Sequence, residues 1–194
     1  HKRVGSHSCG DRGVYRTPSA CRSLAVFSWA RSKRPKRYRR ARRRFPLDQS
    51  SQNRKAVKSI LTDTGPLYAM ADEDDEWHDR VRAFLETGRH QLLVPVTVLP
   101  EICYLIGTYL GATEEIRFMR SVRRGEVRIE TLSRADMART VEVMEQYQDA
   151  RLGFVDASLV AIAERLQIRE ILTTDRRHFS LVRPRHCTGF ILRP

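Results

Sequence analysis

From residue 59 onward, apolar and polar positions follow two alternating periods, one near 2 and one near 3.6. Ile60-Leu61-Thr62 is a short β-type run that ends at Asp63-Thr64-Gly65-Pro66. That tetrapeptide reads as a strand-to-helix turn, with Pro66 suited to a first helical turn, and it predicts a short helix over residues 67–71. Trp77, Val81, Phe84 and Leu85 fall at i, i+4, i+7 and i+8, so residues 76–87 should form an amphipathic helix stopped by Gly88. Leu92-Leu93-Val94-Pro95 reads as a second buried strand. Thr97 is placed to cap a helix over residues 98–110, with Gly111 ending it.

Thr113 opens a further helix to about residue 124, whose apolar side is expected to carry Ile116, Met119 and Val122. Val127, Ile129 and Thr131 alternate with charges and suggest a half-exposed third strand. Ser133 with Asp136 three residues later is a helix-start signal, ahead of a helix carrying Met137, Val141, Met144 and Tyr147. Gly153-Phe154 precede another helix, with Val155, Leu159, Ile162, Ala163 and Leu166 apolar. Residues 170–174 form a fourth strand ending at Asp175, a short turn follows to Phe179, and residues 189–192 suggest a last edge strand. Strands alternating with helices imply a parallel sheet covered on both faces.

The chain has 194 residues, enough for one domain with its own core, and 41% of them are apolar. Its net charge of +13 is unevenly spread. Residues 1–58 hold 18 Lys/Arg against 2 Asp/Glu, whereas residues 59–194 hold 18 against 21. The chain therefore divides into a basic leader, 1–58, and a slightly acidic domain, 59–194. Like charges at the density of residues 31–44 keep a chain extended, so the leader is expected to be disordered. It reads as translated upstream sequence, as a nucleic-acid arm, or as an Arg-rich targeting peptide, and composition favours the first. No apolar core of signal-peptide length follows the arginines, so export is not expected.

Four scattered cysteines form no zinc or redox spacing, which suits a reduced, cytoplasmic protein. Residues 92–112 carry one charge, Glu101, over a length that would span a bilayer. Pro95 and Pro100 interrupt it, and a central acid costs ~2.5–3.5 kcal/mol on insertion scales. A buried strand running into a buried helix is the better reading, and no membrane association is expected.

The candidate chemistry is carboxylate. Asp63 and Asp175 each follow a buried strand, and in an open parallel sheet those ends share the edge where ligands bind. Glu101 and Asp156 sit in otherwise apolar company, where an unpaired acid is costly. Two carboxylates 4 Å apart repel by ~4 kcal/mol at an effective dielectric of 20, so four in one cleft call for a cation. Hard oxygen donors select Mg²⁺ or Mn²⁺, which suits phosphodiester hydrolysis. Each acid also has a plain structural reading. Asp63 and Asp156 could cap helices, Glu101 could face solvent, and Asp175 could be a turn residue. The joint placement is what favours a site.

The pieces ILTDTGPLYAMADEDDEWH, VTVLPEICYLI, LGFVDASLVAIAERL and ILTTDRRHF, in that order, resemble the PIN-domain family, specifically the toxins of bacterial VapBC toxin–antitoxin pairs. The resemblance spans nearly all of residues 59–194 and none of the leader. It implies a three-layer α/β/α domain with a small parallel sheet and Mg²⁺- or Mn²⁺-dependent cleavage of RNA to a 5′-phosphate and a 3′-hydroxyl. It assigns the metal to Asp63, Asp156 and Asp175, with Glu101 completing the shell or orienting the attacking water. Thr173 is the accompanying hydroxyl. It further implies a homodimer and a cognate antitoxin that inhibits by occupying the acidic cleft. The alternative is a non-catalytic member that binds RNA or a protein partner.

Around the four acids, Arg176, Arg177 and His178 read as a solvated turn or as phosphate contacts. His78 is expected at the surface, Trp77 and Phe84 in the core or a dimer face, and Cys103 as a small core residue. The acidic run 72–76 reads as a helix start.

Overall fold

The computed structural model describes residues 58–88 and 90–194, so the leader up to residue 57 lies outside the described residues. Five strands, β1 (Lys58–Thr62), β2 (His90–Pro95), β3 (Val127–Glu130), β4 (Glu170–Leu172) and β5 (Ile191–Arg193), form one sheet in the order β3-β2-β1-β4-β5. Every pairing is parallel. Among the described residues, seven α-helices accompany them: α1 (Thr64–Ala71), α2 (His78–Thr87), α3 (Val98–Leu105), α4 (Ala112–Arg123), α5 (Arg134–Gln146), α6 (Phe154–Leu166) and α7 (Arg176–Leu181).

The two-residue period of the strands divides the core. Ile60, Leu92, Val94, Val127 and Leu172 point to one face and pack with α1–α4. Leu61, Leu93 and Ile171 point to the other and pack with Val143 of α5, the apolar residues of α6, and Phe179 of α7. This is the expected three-layer α/β/α arrangement. A sheet covered on both faces accounts for the near-continuous apolar runs of β1, β2 and β4. Chain order steps from β1 outward to β2 and β3, then returns to β4 on the other side of β1. The carboxyl ends of β1 and β4 flank that reversal, where a crevice forms in open sheets.

Several local features differ from the sequence reading. The helix expected over residues 98–110 stops being α-helical at Leu105, and Ile106–Leu110 continue as a π-helical turn closed by Gly111, whose φ is 91°. Thr97 makes no capping bond. Its hydroxyl instead meets that of Ser158 on α6 at 2.7 Å, tying the β2–α3 loop across the carboxyl edge of the sheet. The predicted turn before Phe179 is the short helix α7, capped by the Asp175 side chain. His78 is buried rather than superficial, 4% exposed, with Nδ1 on the Ala69 carbonyl.

The expected faces of α4 and α5 hold only in part: Val122, Met144 and Tyr147 pack against the core, and the other four expected residues do not. Ile116 and Met119 are exposed and Phe118 is fully buried. Met137 and Val141 are exposed, while Asp136, Thr140 and Val143 face inward. The cause is that both helices bury polar groups with local partners. Ser121 bonds the Phe118 carbonyl and Thr140 the Asp136 carbonyl. Asp136 closes a capping box with Ser133 and accepts a guanidinium from Arg165 of α6. Satisfied polar residues can occupy an inner face, so apolar spacing alone misplaces it.

The corrected face of α4 gives a direct test. Phe118→Ala should cost about 3–5 kcal/mol of unfolding free energy, the range for emptying a buried aromatic site. Met119→Ala, one position on, should cost less than about 1 kcal/mol, as surface substitutions do. Urea titration of the two variants checks the difference, and equal losses would contradict the assigned face.

Candidate active site

Asp63 follows directly from β1, its backbone N–H donating to the Leu172 carbonyl of β4 at 3.0 Å. It is also the N-cap of α1, Oδ1 accepting the Thr64 N–H at 2.7 Å. Its other oxygen, Oδ2, accepts the Thr173 hydroxyl at 2.9 Å. Capping and site membership are therefore compatible for this residue. Glu101 lies in the first turn of α3, and its Oε2 accepts the Thr64 hydroxyl at 2.7 Å. Thr64 thus yokes Asp63 and Glu101, its N–H on one and its O–H on the other.

Asp156 sits in the first turn of α6, and its Oδ2 meets His178 Nδ1 at 2.9 Å. Asp175 caps α7 through Oδ1 to the Arg177 N–H, and its Oδ2 lies 3.6 Å from the same imidazole nitrogen. Thr173 closes the other side, its hydroxyl oxygen also accepting the Asp175 N–H at 3.0 Å. Gly65 permits close approach of α1 to the β4 end, since a Cβ there would stand 2.0 Å from Thr174 Oγ1.

Burial is unequal. Asp63 is 9% exposed, Asp156 partly buried, and Glu101 and Asp175 exposed. The apolar company of Glu101 in sequence does not bury it, because that part of α3 opens onto the carboxyl edge. Burial pushes the Asp63 carboxyl up to about 6, against the Thr64 and Thr173 hydrogen bonds, and the carboxylates of Asp156 and Glu101 push it further the same way. Burial also raises Asp156, against the pull of His178, with Asp175 and Glu101 adding to the rise. These mutual influences place the four acids in one electrostatic neighbourhood.

Among the described residues, no Lys or Arg forms an ion pair with any of the four. Arg176 spends its guanidinium on the carbonyls of Leu192 and Pro194. As the side chains stand, no three His, Cys, Asp or Glu groups among the described residues converge closely enough to hold a metal ion. The donor set still fits one in kind: four hard carboxylate donors, one of them a buried acid whose ionisation costs energy, with no guanidinium or ammonium group paired to them among the described residues. Two members of the constellation, Thr64 and His178, are not evident from sequence. A threonine after an acid reads as ordinary helix-start chemistry, and His178 lies within a basic run that resembles a solvated turn.

The PIN-domain family profile matches residues 60–183, from β1 to just past α7. The chain is 33% identical over 125 residues to ribonuclease VapC26 of Mycobacterium tuberculosis, covering 64% of this chain and 93% of that protein. Its fold is similar to the crystal structure of Mycobacterium tuberculosis VapC20, described as a Sarcin-Ricin loop cleaving toxin, with a TM-score of 0.57, 19% identity and coverage of 60% of this chain and 90% of that one. It is also similar to a chain of a toxin–antitoxin complex from Klebsiella pneumoniae, with a TM-score of 0.51, 20% identity and coverage of 63% and 92%. The last two likenesses concern the fold, whereas the profile and the sequence identity fix descent, and the chain belongs to the PIN-domain family as a protein of the VapC type.

Proposed function

We propose that this protein is a divalent-metal-dependent endoribonuclease, the toxin of a toxin–antitoxin pair. The observation that carries the reading is the buried, energetically penalised Asp63, beside Asp156 and Glu101 at the sheet's carboxyl edge and, among the described residues, with no Lys or Arg partner. Asp63, Asp156 and Asp175 would hold Mg²⁺ or Mn²⁺. When bound, that ion supplies neutralisation of the phosphate and a lowered pKa for water. Glu101, exposed on α3, completes the ligand set or orients the water. Thr173 and Thr64 hold the Asp63 and Glu101 carboxylates in place. Attack of water on phosphorus, in line with the departing 3′ oxygen, forms one P–O bond and breaks the other, leaving a 5′-phosphate and a 3′-hydroxyl.

The substrate reading rests on the ribonuclease name of the 33%-identical relative, and the antitoxin on the toxin–antitoxin complex of similar fold. A second copy of the chain is the natural partner for the exposed apolar residues of α4 and α5. Among the described residues, no helix is long and apolar enough to cross a membrane. A non-catalytic binding role is favoured by one observation, that the acids as placed do not yet converge to ligand distance.

RNA cleavage separates the two readings. With Mg²⁺ present, Asp63→Asn should cut RNA at least about a hundredfold more slowly, because even groups behind metal ligands are worth 10–100-fold. Equal rates for the two proteins would reject catalysis at this site.

Stability gives an independent check. The folded pKa of Asp63, about 6, lies above the usual carboxyl value, so the folded chain keeps a proton that the unfolded chain loses between the two. The unfolded state then binds fewer protons, and stability falls as pH rises across roughly 4–6. Without divalent metal, Asp63→Asn should therefore be more stable than the parent at pH 7 by about 3 kcal/mol, with the gap closing below pH 4. Mg²⁺ at a hundredfold over its Kd should restore about 2.7 kcal/mol to the parent and little to the variant. Chemical denaturation with and without chelator reads both effects.

A further inference from the structure

His178 occupies the first turn of α7, and two anchors fix where its ring lies. Asp175 caps the helix through the Arg177 N–H. Phe179, the next residue, is 1% exposed and meets Phe190 edge to face at 6.4 Å, which sets the rotation of the helix. Nδ1 then stands 2.9 Å from Asp156 Oδ2 and 3.6 Å from Asp175 Oδ2, reaching acids from two different connections. Asp156 Oδ1 accepts no hydrogen bond among the described residues, so the imidazole restrains one oxygen and leaves the other available. Thr64 makes the equivalent arrangement on the far side, taking Glu101 Oε2 and leaving Oε1.

The geometry points to His178 as a positioning residue: its Nδ1–H fixes the Asp156 carboxylate, beside Asp175, so that the pair presents its remaining oxygens to the divalent ion. The inference rests on the metal-dependent reading of the site and names a member of it outside the four acids. A neutral imidazole suffices, because the role is hydrogen bonding and steric restraint rather than charge. The opposite role is also chemically definite. If the imidazole only stood in for the cation, removing it would tighten metal binding.

Calorimetric titration of Mn²⁺ into the full chain distinguishes these roles, with RNA cleavage measured alongside. The variants are His178→Ala, His178→Asn and His178→Gln. The Asn amide N–H falls near the place of Nδ1, and the Gln amide falls near Nε2. His178→Ala should weaken Mn²⁺ binding about 10–100-fold and lower kcat with KM for RNA little changed. His178→Asn should recover most of both, His178→Gln should not, and the metal-free melting temperatures should agree. Unchanged or tighter Mn²⁺ binding in His178→Ala, or an Asn variant no better than Gln, overturns the positioning role while the metal site stands. A parent chain that binds no Mn²⁺ overturns both.

Discussion

Like-charge repulsion at the carboxyl edge of the sheet is the constraint around which this molecule is organised. Parallel pairing sends every strand's exit to the same side, and here three of those exits, with the start of α6, deliver an acid. The central position of β1 puts Asp63 between the Glu101 and Asp175 connections, with Asp156 above. Bringing carboxylates together raises the cost of ionising each, and burial of Asp63 adds to it. A fold selected for stability alone would separate them or give each a guanidinium.

The chain gives them neutral-capable donors instead. Thr64 takes one oxygen from each of two acids, and Thr173, His178 and the Arg177 backbone N–H each take one oxygen of an acid. Such donors fix direction with little compensation of charge. They come from residues one or two positions from an acid, or from a short helix capped by one, so the same local turns that end the strands also aim the side chains. The Thr97–Ser158 hydroxyl contact and the close approach of Gly65 to Thr174 draw the connections together at the backbone level.

The strands and the candidate acids were legible in sequence because both leave a pattern with a short range: short apolar runs, two of them closed by Asp63 and Asp175, and the lone acids Glu101 and Asp156 in otherwise apolar company. Helix position was legible for the same reason, and the Ser133–Asp136 capping box formed as spaced. Helix rotation was legible only in part, through Val122, Met144 and Tyr147. On α4 and α5 the inward face holds Ser121, Asp136 and Thr140, whose partners lie within one turn or on a neighbouring helix, so apolar periodicity favoured Met119 and Val141 wrongly. Glu101 was placed among apolar neighbours along the chain, but its exposure depends on which side of α3 the sheet leaves open. His178 joins acids from two separate connections, a relation that depends on the packing of Phe179 and has no local signature.

The rest of the molecule shows that arginine was available. On the α5–α6 face, Arg139 grips Glu164 with two nitrogens, and Arg165 reaches both oxygens of Asp136 with its Nε–H. Burial alone would raise both carboxyls, yet the guanidiniums, with the Ser133 and Arg185 backbone N–H groups, hold them below the ordinary range. At the opposite edge of the sheet, buried Glu170 is met by Lys58 and approached by Arg193. These buried acids are thus paired with cations, and Asp136 and Glu164 hold their protons less tightly. Asp63 and Asp156 shift the other way although Arg176 and Arg177 directly follow Asp175, one with its guanidinium turned to the C-terminal carbonyls and the other donating only its backbone N–H. That contrast within one chain separates acids neutralised by a cation of the fold from acids that, among the described residues, have no Lys or Arg ion pair.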